Sequence, residues 1–167
     1  MIVAKVGGSL FDWPGLGPAL NAWIEAQSQP VLLFPGGGKF VEVLREFDAI
    51  HGLGEEASHW LALTALTLAA EFISKITDND VVDPYPFFRE LSWSIPHSWN
   101  VTSDSLALRL AQEEKASELV LLKSIDVPAN APWAEAAVRG WVDVYFPELV
   151  ASAGVPVRIV NLRAVVT

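Results

Sequence analysis

Ile2-Val3-Ala4-Lys5-Val6-Gly7-Gly8-Ser9 is the stretch on which the reading of this chain turns. A short β-branched run that stops on a glycine pair reads as a buried strand ending in a tight turn. The same pattern recurs at Pro30-Val31-Leu32-Leu33-Phe34, followed by Pro35-Gly36-Gly37-Gly38. Between the two, Pro18 to Gln27 carries Leu20, Trp23 and Ile24 on one side, as a helix would. After the second glycine run, Phe40 to Ile50 has Phe40, Val43, Leu44 and Phe47 at the spacing of one helical face. Two strand–glycine–helix units in succession predict an α/β fold, a three-layer α/β/α sandwich with a mainly parallel central sheet.

Outward from this start, Glu55 to Ile76 is the longest helical stretch, apolar nearly all round and expected to lie buried between layers. Val81-Val82 is a short strand candidate, and Pro84, Pro86 and Pro96 predict a loop-rich section. Ser103 to Gln112 reads as a helix, Glu118 to Leu122 and Val155 to Val160 as strands. Trp133 to Val138 and Pro147 to Ser152 read as short helices. With no internal repeat, low-complexity tract or linker, residues 1–167 are expected to form a single domain.

Composition narrows the function classes. The chain has 167 residues, is 51% hydrophobic and 19% charged, and contains no cysteine. Disorder is excluded by that apolar content. A disulfide scaffold, a zinc ribbon and a thiol nucleophile are excluded by the absent cysteines. Thr, His, Glu and Lys interrupt the longest apolar run, so no membrane span is expected. The opening residues show no cationic leader, which makes a cytoplasmic location the default expectation. Eleven Lys and Arg stand against 20 Asp and Glu, a balance that argues against nucleic acid as a partner. A few lysines focused in a cleft can still hold a small anion, so the placement of lysines matters more than their number.

Four constellations could carry chemistry. In Lys5 to Ser9, the glycine pair lets backbone N–H groups approach an anion and Ser9 adds a hydroxyl, with Lys5 able to place its ammonium over the same anion; a plain tight turn explains Gly7-Gly8 equally well. In Gly36-Gly37-Gly38-Lys39, three glycines opening a helix suit backbone wrapping an anionic ligand better than a turn, which needs one. In His97 to Ser105, polar residues crowd before a helix, where Ser103 or Asp104 could be a simple N-cap. In Leu121 to Asp126, Lys123 and Asp126 follow a strand end, a place usually occupied by a solvated rim. All four fall at the carboxyl ends of predicted parallel strands, the edge where open α/β sheets collect ligands.

Taken together, these segments resemble the amino acid kinase family, in order and over nearly the whole chain. Lys5-Val6-Gly7-Gly8-Ser9 looks like that family's opening lysine and phosphate loop, and Pro35 to Gly38 like its second glycine loop, on the acceptor side. Asn100 to Ala107 is similar to its Asn-x-x-x-Asp-x-x-Ala segment, and Leu121 to Asp126 to its nucleotide-receiving strand and turn. His51 to Trp60 and His97-Ser98-Trp99 resemble most a compact, aminomethylfuran phosphate kinase-like branch tied to one-carbon cofactor pathways. In the stretch Gly140 to Phe146, where the family carries a second nucleotide-side lysine, this chain has none, and Lys123 or Arg139 would have to substitute.

The resemblance implies an ATP-dependent small-molecule kinase with Mg²⁺ held mainly by nucleotide oxygens and water. Lys5 and Asp104 would be catalytic, the aspartate orienting Lys5 and Lys123 by ion pairing. Gly7, Gly8 and Ser9 would bind phosphate, and Lys123 and Asp126 the nucleotide. Gly36, Gly37, Gly38, His51, Glu55 and His97 would face a small anionic acceptor, which the resemblance implies is a phosphate monoester such as an aminomethylfuran phosphate. If the acceptor carries an ammonium, Glu55, Glu56 and Asp83 are the carboxylates to meet it, and Trp99 could wall the pocket. The alternative is a non-catalytic nucleotide- or anion-binding relative. His59, on an apolar helix, reads as a hydrogen-bonded core residue, and the histidine spacing offers no zinc site. A homodimer is expected, because so apolar a chain is too short to bury all its apolar surface.

Overall fold

The computed structural model describes residues 1–90 and 95–165. Four parallel strands, β1 (Ile2–Val6), β2 (Val31–Pro35), β3 (Glu118–Lys123) and β4 (Val157–Asn161), form one sheet in the order β2-β1-β3-β4. Strand alternation divides the core in two. Ile2, Ala4, Val6, Val31, Leu33, Val120 and Leu122 pack beneath α1 (Leu16–Glu25). Val3, Phe34, Leu119 and Leu121 face the opposite layer, where α5 (Ser103–Glu113), α6 (Trp133–Val138) and α7 (Phe146–Ala153) lie. The expected layered parallel architecture is therefore present.

Period-2 alternation has a direct consequence for the site. Lys5 shares a face with Val3, and Lys123 shares one with Leu119 and Leu121, so both lysines leave adjacent strands on the α5 side. Both stand at the carboxyl end of the sheet.

Three expectations from sequence are corrected. The helix α3 (Glu55–Ser74) is not buried all round: it gives Leu63 and Leu66 to one core and Ile73 to the other, but leaves Leu61 and Leu68 exposed. The proline-rich section contains a helix, α4 (Pro84–Glu90). Its prolines fall in the first turn, where backbone N–H groups have no intrahelical acceptor, and Asp83 Oδ1 accepts from Tyr85 N at 3.2 Å. Val81 forms only a single parallel bridge with Leu33 rather than a strand.

The helix α2 (Gly38–His51) buries no residue at all. Phe40 and Leu44 are half-buried, whereas Val43 and Phe47, expected on the same packing face, are exposed. Among the described residues no helix is long and apolar enough to cross a membrane.

Candidate active site

The centre of the site is a buried ion cluster. Lys5 Nζ lies 2.8 Å from Asp104 Oδ1, and Lys123 Nζ lies 2.9 Å from both Asp104 oxygens. Lys5 and Asp104 are each 5% exposed. Asp104 sits in the first turn of α5, whose N-terminus points at the carboxyl ends of β1 and β3 and favours negative charge there. Burial alone would raise the Asp104 carboxyl, but Lys123 and Lys5 overrule it and bring it down to about 2. Burial lowers the Lys123 ammonium to about 8, a shift that Asp104 opposes and Lys5 reinforces. The arrangement favours an ionised carboxylate between two lysines at neutral pH.

Two glycine loops meet above this cluster, and their glycines answer first to each other. A Cβ on Gly8 would stand 2.1 Å from Gly38 N and 2.4 Å from Gly38 Cα. Gly38 has φ +50, and a Cβ there would meet Gly8 O at 2.8 Å. Gly36 and Gly38 are thus required by close backbone contact with the first loop, while Gly37 and Gly38 also line the adjoining cavity. Ser9 Oγ and Ser124 Oγ, 2.9 Å apart, join the ends of β1 and β3.

A cavity of about 300 Å³ opens from the cluster towards α2 and α3. Lys5, Gly8, Ser9, Gly37 and Gly38 line its sheet end, and Arg45, Glu42, Glu55, His59 and Trp99 line the helical end. Trp99 Nε1 donates to Asp48 Oδ2 at 2.7 Å, and Arg45 lies over the Trp99 ring at 4.8 Å. Gly54 N also donates to Asp48, at 3.2 Å. One carboxylate on α2 thereby ties together α2, the start of α3 and the loop before α5. The Trp99 bond, chiefly, holds the Asp48 carboxyl below the usual carboxylate range.

Other residues singled out in the sequence stand elsewhere. His51 is the exposed last residue of α2 and does not line the cavity. His97 does not line it either; its Nδ1 pairs with Glu56, and its ring backs His59 in a parallel stack at 3.8 Å. Glu56 also accepts from Trp60 Nε1 at 2.7 Å, so of the glutamate pair only Glu55 faces the cavity. Asp83 accepts from Thr67 Oγ1 and caps α4. Gly7 packs on Leu122 O, and Gly36 on Gly8 and Val6; neither lines the cavity. Asp126 is exposed and accepts from Asn161 Nδ2 at 3.0 Å. Arg139 pairs with Glu135 at 2.7 Å and lies over Trp141.

Among the polar cavity residues, Glu42 and Arg45 carry no signal in the sequence, whereas Ser58 and His59 fall in the stretch His51 to Trp60. His59 is not a hydrogen-bonded core residue but a half-buried cavity wall, and burial, with His97 beside it, lowers its imidazole to about 4. The available signal was its place one turn after the helix start. Among the described residues no three His, Cys, Asp or Glu side chains converge as metal ligands.

No family model matches the chain. Its sequence is 29% identical to [5-(aminomethyl)furan-3-yl]methyl phosphate kinase of Methanocaldococcus jannaschii, over 75% of this chain and 67% of that protein. Its fold is similar to that of uridylate kinase from Archaeoglobus fulgidus, with a TM-score of 0.70 at 17% identity, over 98% of this chain and 94% of the other.

Proposed function

We propose that this chain, similar in sequence to a phosphate kinase and in fold to uridylate kinase, is an amino acid kinase-like enzyme that transfers the γ-phosphoryl group of ATP to a small anionic acceptor. The observation that carries the reading is the Lys5–Asp104–Lys123 cluster, of which Lys5 lines the cavity beside Gly8, Ser9, Gly37 and Gly38. We propose a phosphate monoester as acceptor, such as an aminomethylfuran phosphate of one-carbon cofactor biosynthesis, in keeping with the M. jannaschii relative. The cavity is bipolar in the required sense. Lys5 and backbone N–H groups stand at one end, and at the other the Glu42 and Glu55 carboxylates, beside Arg45 stacked on Trp99, can meet an ammonium, with Leu63, Leu66 and Trp99 for a flat apolar body.

An acceptor phosphate oxygen attacks the γ-phosphorus, the bond to the β–γ bridging oxygen breaks, and ADP departs. No proton need move when the attacking group is already an anion. Asp104 is therefore not a base: held near 2 and gripped by two ammonium groups, it orients them. Lys5 neutralises charge on the transferring group, and the glycine loops leave room for in-line approach. Mg²⁺, when it accompanies the nucleotide, supplies further charge neutralisation on phosphate oxygens.

A second reading has one observation in its favour. No lysine occurs in 140–146, and Arg139 is occupied by Glu135, as a nucleotide-binding regulatory relative without turnover would allow. ADP release with a panel of phosphomonoesters, with and without an amine, tests the kinase; calorimetry with ATP identifies a binder that does not turn over. The proposed partner in solution is a second copy of the chain. Val43, Phe47 and Ile50 recur on one stripe of α2 and stay exposed, beside exposed Leu61 and Leu68 of α3.

A further inference from the structure

Asp143 lies between α6 and α7, 9% exposed. Its Oδ2 accepts from Thr102 N, Thr102 Oγ1 and Ser105 N, each at 3.0 Å. Its Oδ1 accepts from Ser105 Oγ at 2.6 Å and from Phe146 N at 2.9 Å. Thr102 is the N-cap residue of α5, and its own side chain makes no capping bond. The cap is supplied instead by a carboxylate far along the chain.

The two residues that Asp143 holds flank Asp104. Three of the five partners, the Thr102, Ser105 and Phe146 N–H groups, can only donate and so favour the carboxylate, while burial and nearby Asp104 push the Asp143 carboxyl up. Asp104 pairs with Lys5 and Lys123, and the charged groups that act on the Lys123 ammonium are Asp104, Lys5 and Asp143. With Asp143 the buried group has two cations and two anions; without it, one ammonium lacks a counter-charge in a low-dielectric setting.

We propose that Asp143 is a positioning residue for phosphoryl transfer: it fixes the first turn of α5 so that Asp104 holds the Lys5 and Lys123 ammonium groups at the carboxyl edge of the sheet. The last step rests on the kinase reading; the hold on the lysines does not. The same bonds connect the 139–145 loop to the site, so displacement of that loop would be felt at both lysines.

The test uses Asp143→Asn, which keeps the shape but turns an NH₂ group towards donors, and Ser105→Ala, which keeps the charge but removes the shortest bond. Three quantities are measured for each protein: the titration of Lys123 by NMR of ¹³Cε-labelled lysine, the melting temperature, and turnover with ATP and the phosphomonoester panel. In Asp143→Asn, Lys123 should lose its proton at lower pH than in the parent, because a facing anion is gone. The kcat should fall about 10–100-fold, with a smaller change in the KM for ATP, as for misplacement of a supported group. Ser105→Ala should lower kcat in the same direction by less, and perturb the Lys123 titration although no charge has changed. A lower melting temperature with unaltered Lys123 titration in both variants would overturn the proposal and leave Asp143 a helix cap. If the parent shows no turnover, the kinase reading fails, and the lysine titration still decides the positioning role. If Asp143→Asn does not fold, Ser105→Ala decides alone.

Discussion

Lys123 and Lys5 divide the work of one carboxylate. Asp104 offers both oxygens to Lys123 and one to Lys5, so removing the Lys5 ammonium still leaves Asp104 paired. Lys5→Met keeps the buried aliphatic stem and deletes only the charge, and a modest melting-temperature loss is expected. Titration of Lys123 bears on activity. Its ammonium is lowered to about 8 from the 10.5 of a free lysine, so turnover should decline as pH rises through about 8. Stability runs the other way. Between those two values the unfolded chain still holds the proton that the folded chain has shed, so this group favours the folded state as pH rises. A pH–rate profile beside a pH–melting series checks both signs: an alkaline loss of turnover that tracks unfolding would refute the assignment.

The glycine loops are the element on which the site's shape depends. In Gly8→Ala the added carbon would lie 2.1 Å from Gly38 N and 2.4 Å from Gly38 Cα, backbone that cannot rotate away. Forced separation of the loops should cost about 1–3 kcal/mol or more, read as a lower denaturation midpoint, together with weaker ATP binding. At this scale the sequence was partly legible. The strand–glycine–helix units placed β1, β2, α1 and α2 to within two residues, because hydrophobic period and glycine punctuation are local signals. The helix α4 was missed because its prolines read as breakers, although in a first turn they break nothing. Lys5, Asp104 and Lys123 could be suspected from strand ends and a helix start. Arg45 and Asp143 could not, since they reach the site through tertiary contacts made by α2 and the 139–145 loop. The close packing of the two glycine loops on each other leaves no trace in either loop alone.

On the scale of the whole molecule, the sheet order β2-β1-β3-β4 brings β1 and β3 side by side, and with them two lysines separated by more than a hundred residues. The helix α2, with no buried residue, closes the cavity from outside. Its apolar stripe of Val43, Phe47 and Ile50 should be covered by a second copy. Sedimentation should report a dimer at micromolar concentration, and Ile50→Asp should shift it towards monomer while leaving each chain folded, since Ile50 is exposed. A monomeric parent protein would contradict that part of the account.

The central claim is that Lys5 stabilises charge during phosphoryl transfer, and turnover of the parent protein and Lys5→Met, with ATP and amine-bearing phosphomonoesters, tests it most directly. Loss of one preorganised charged donor predicts a fall in kcat of about 10²–10³, roughly 3–4 kcal/mol, with ATP affinity changed far less. Parent turnover that survives in Lys5→Met would contradict the account.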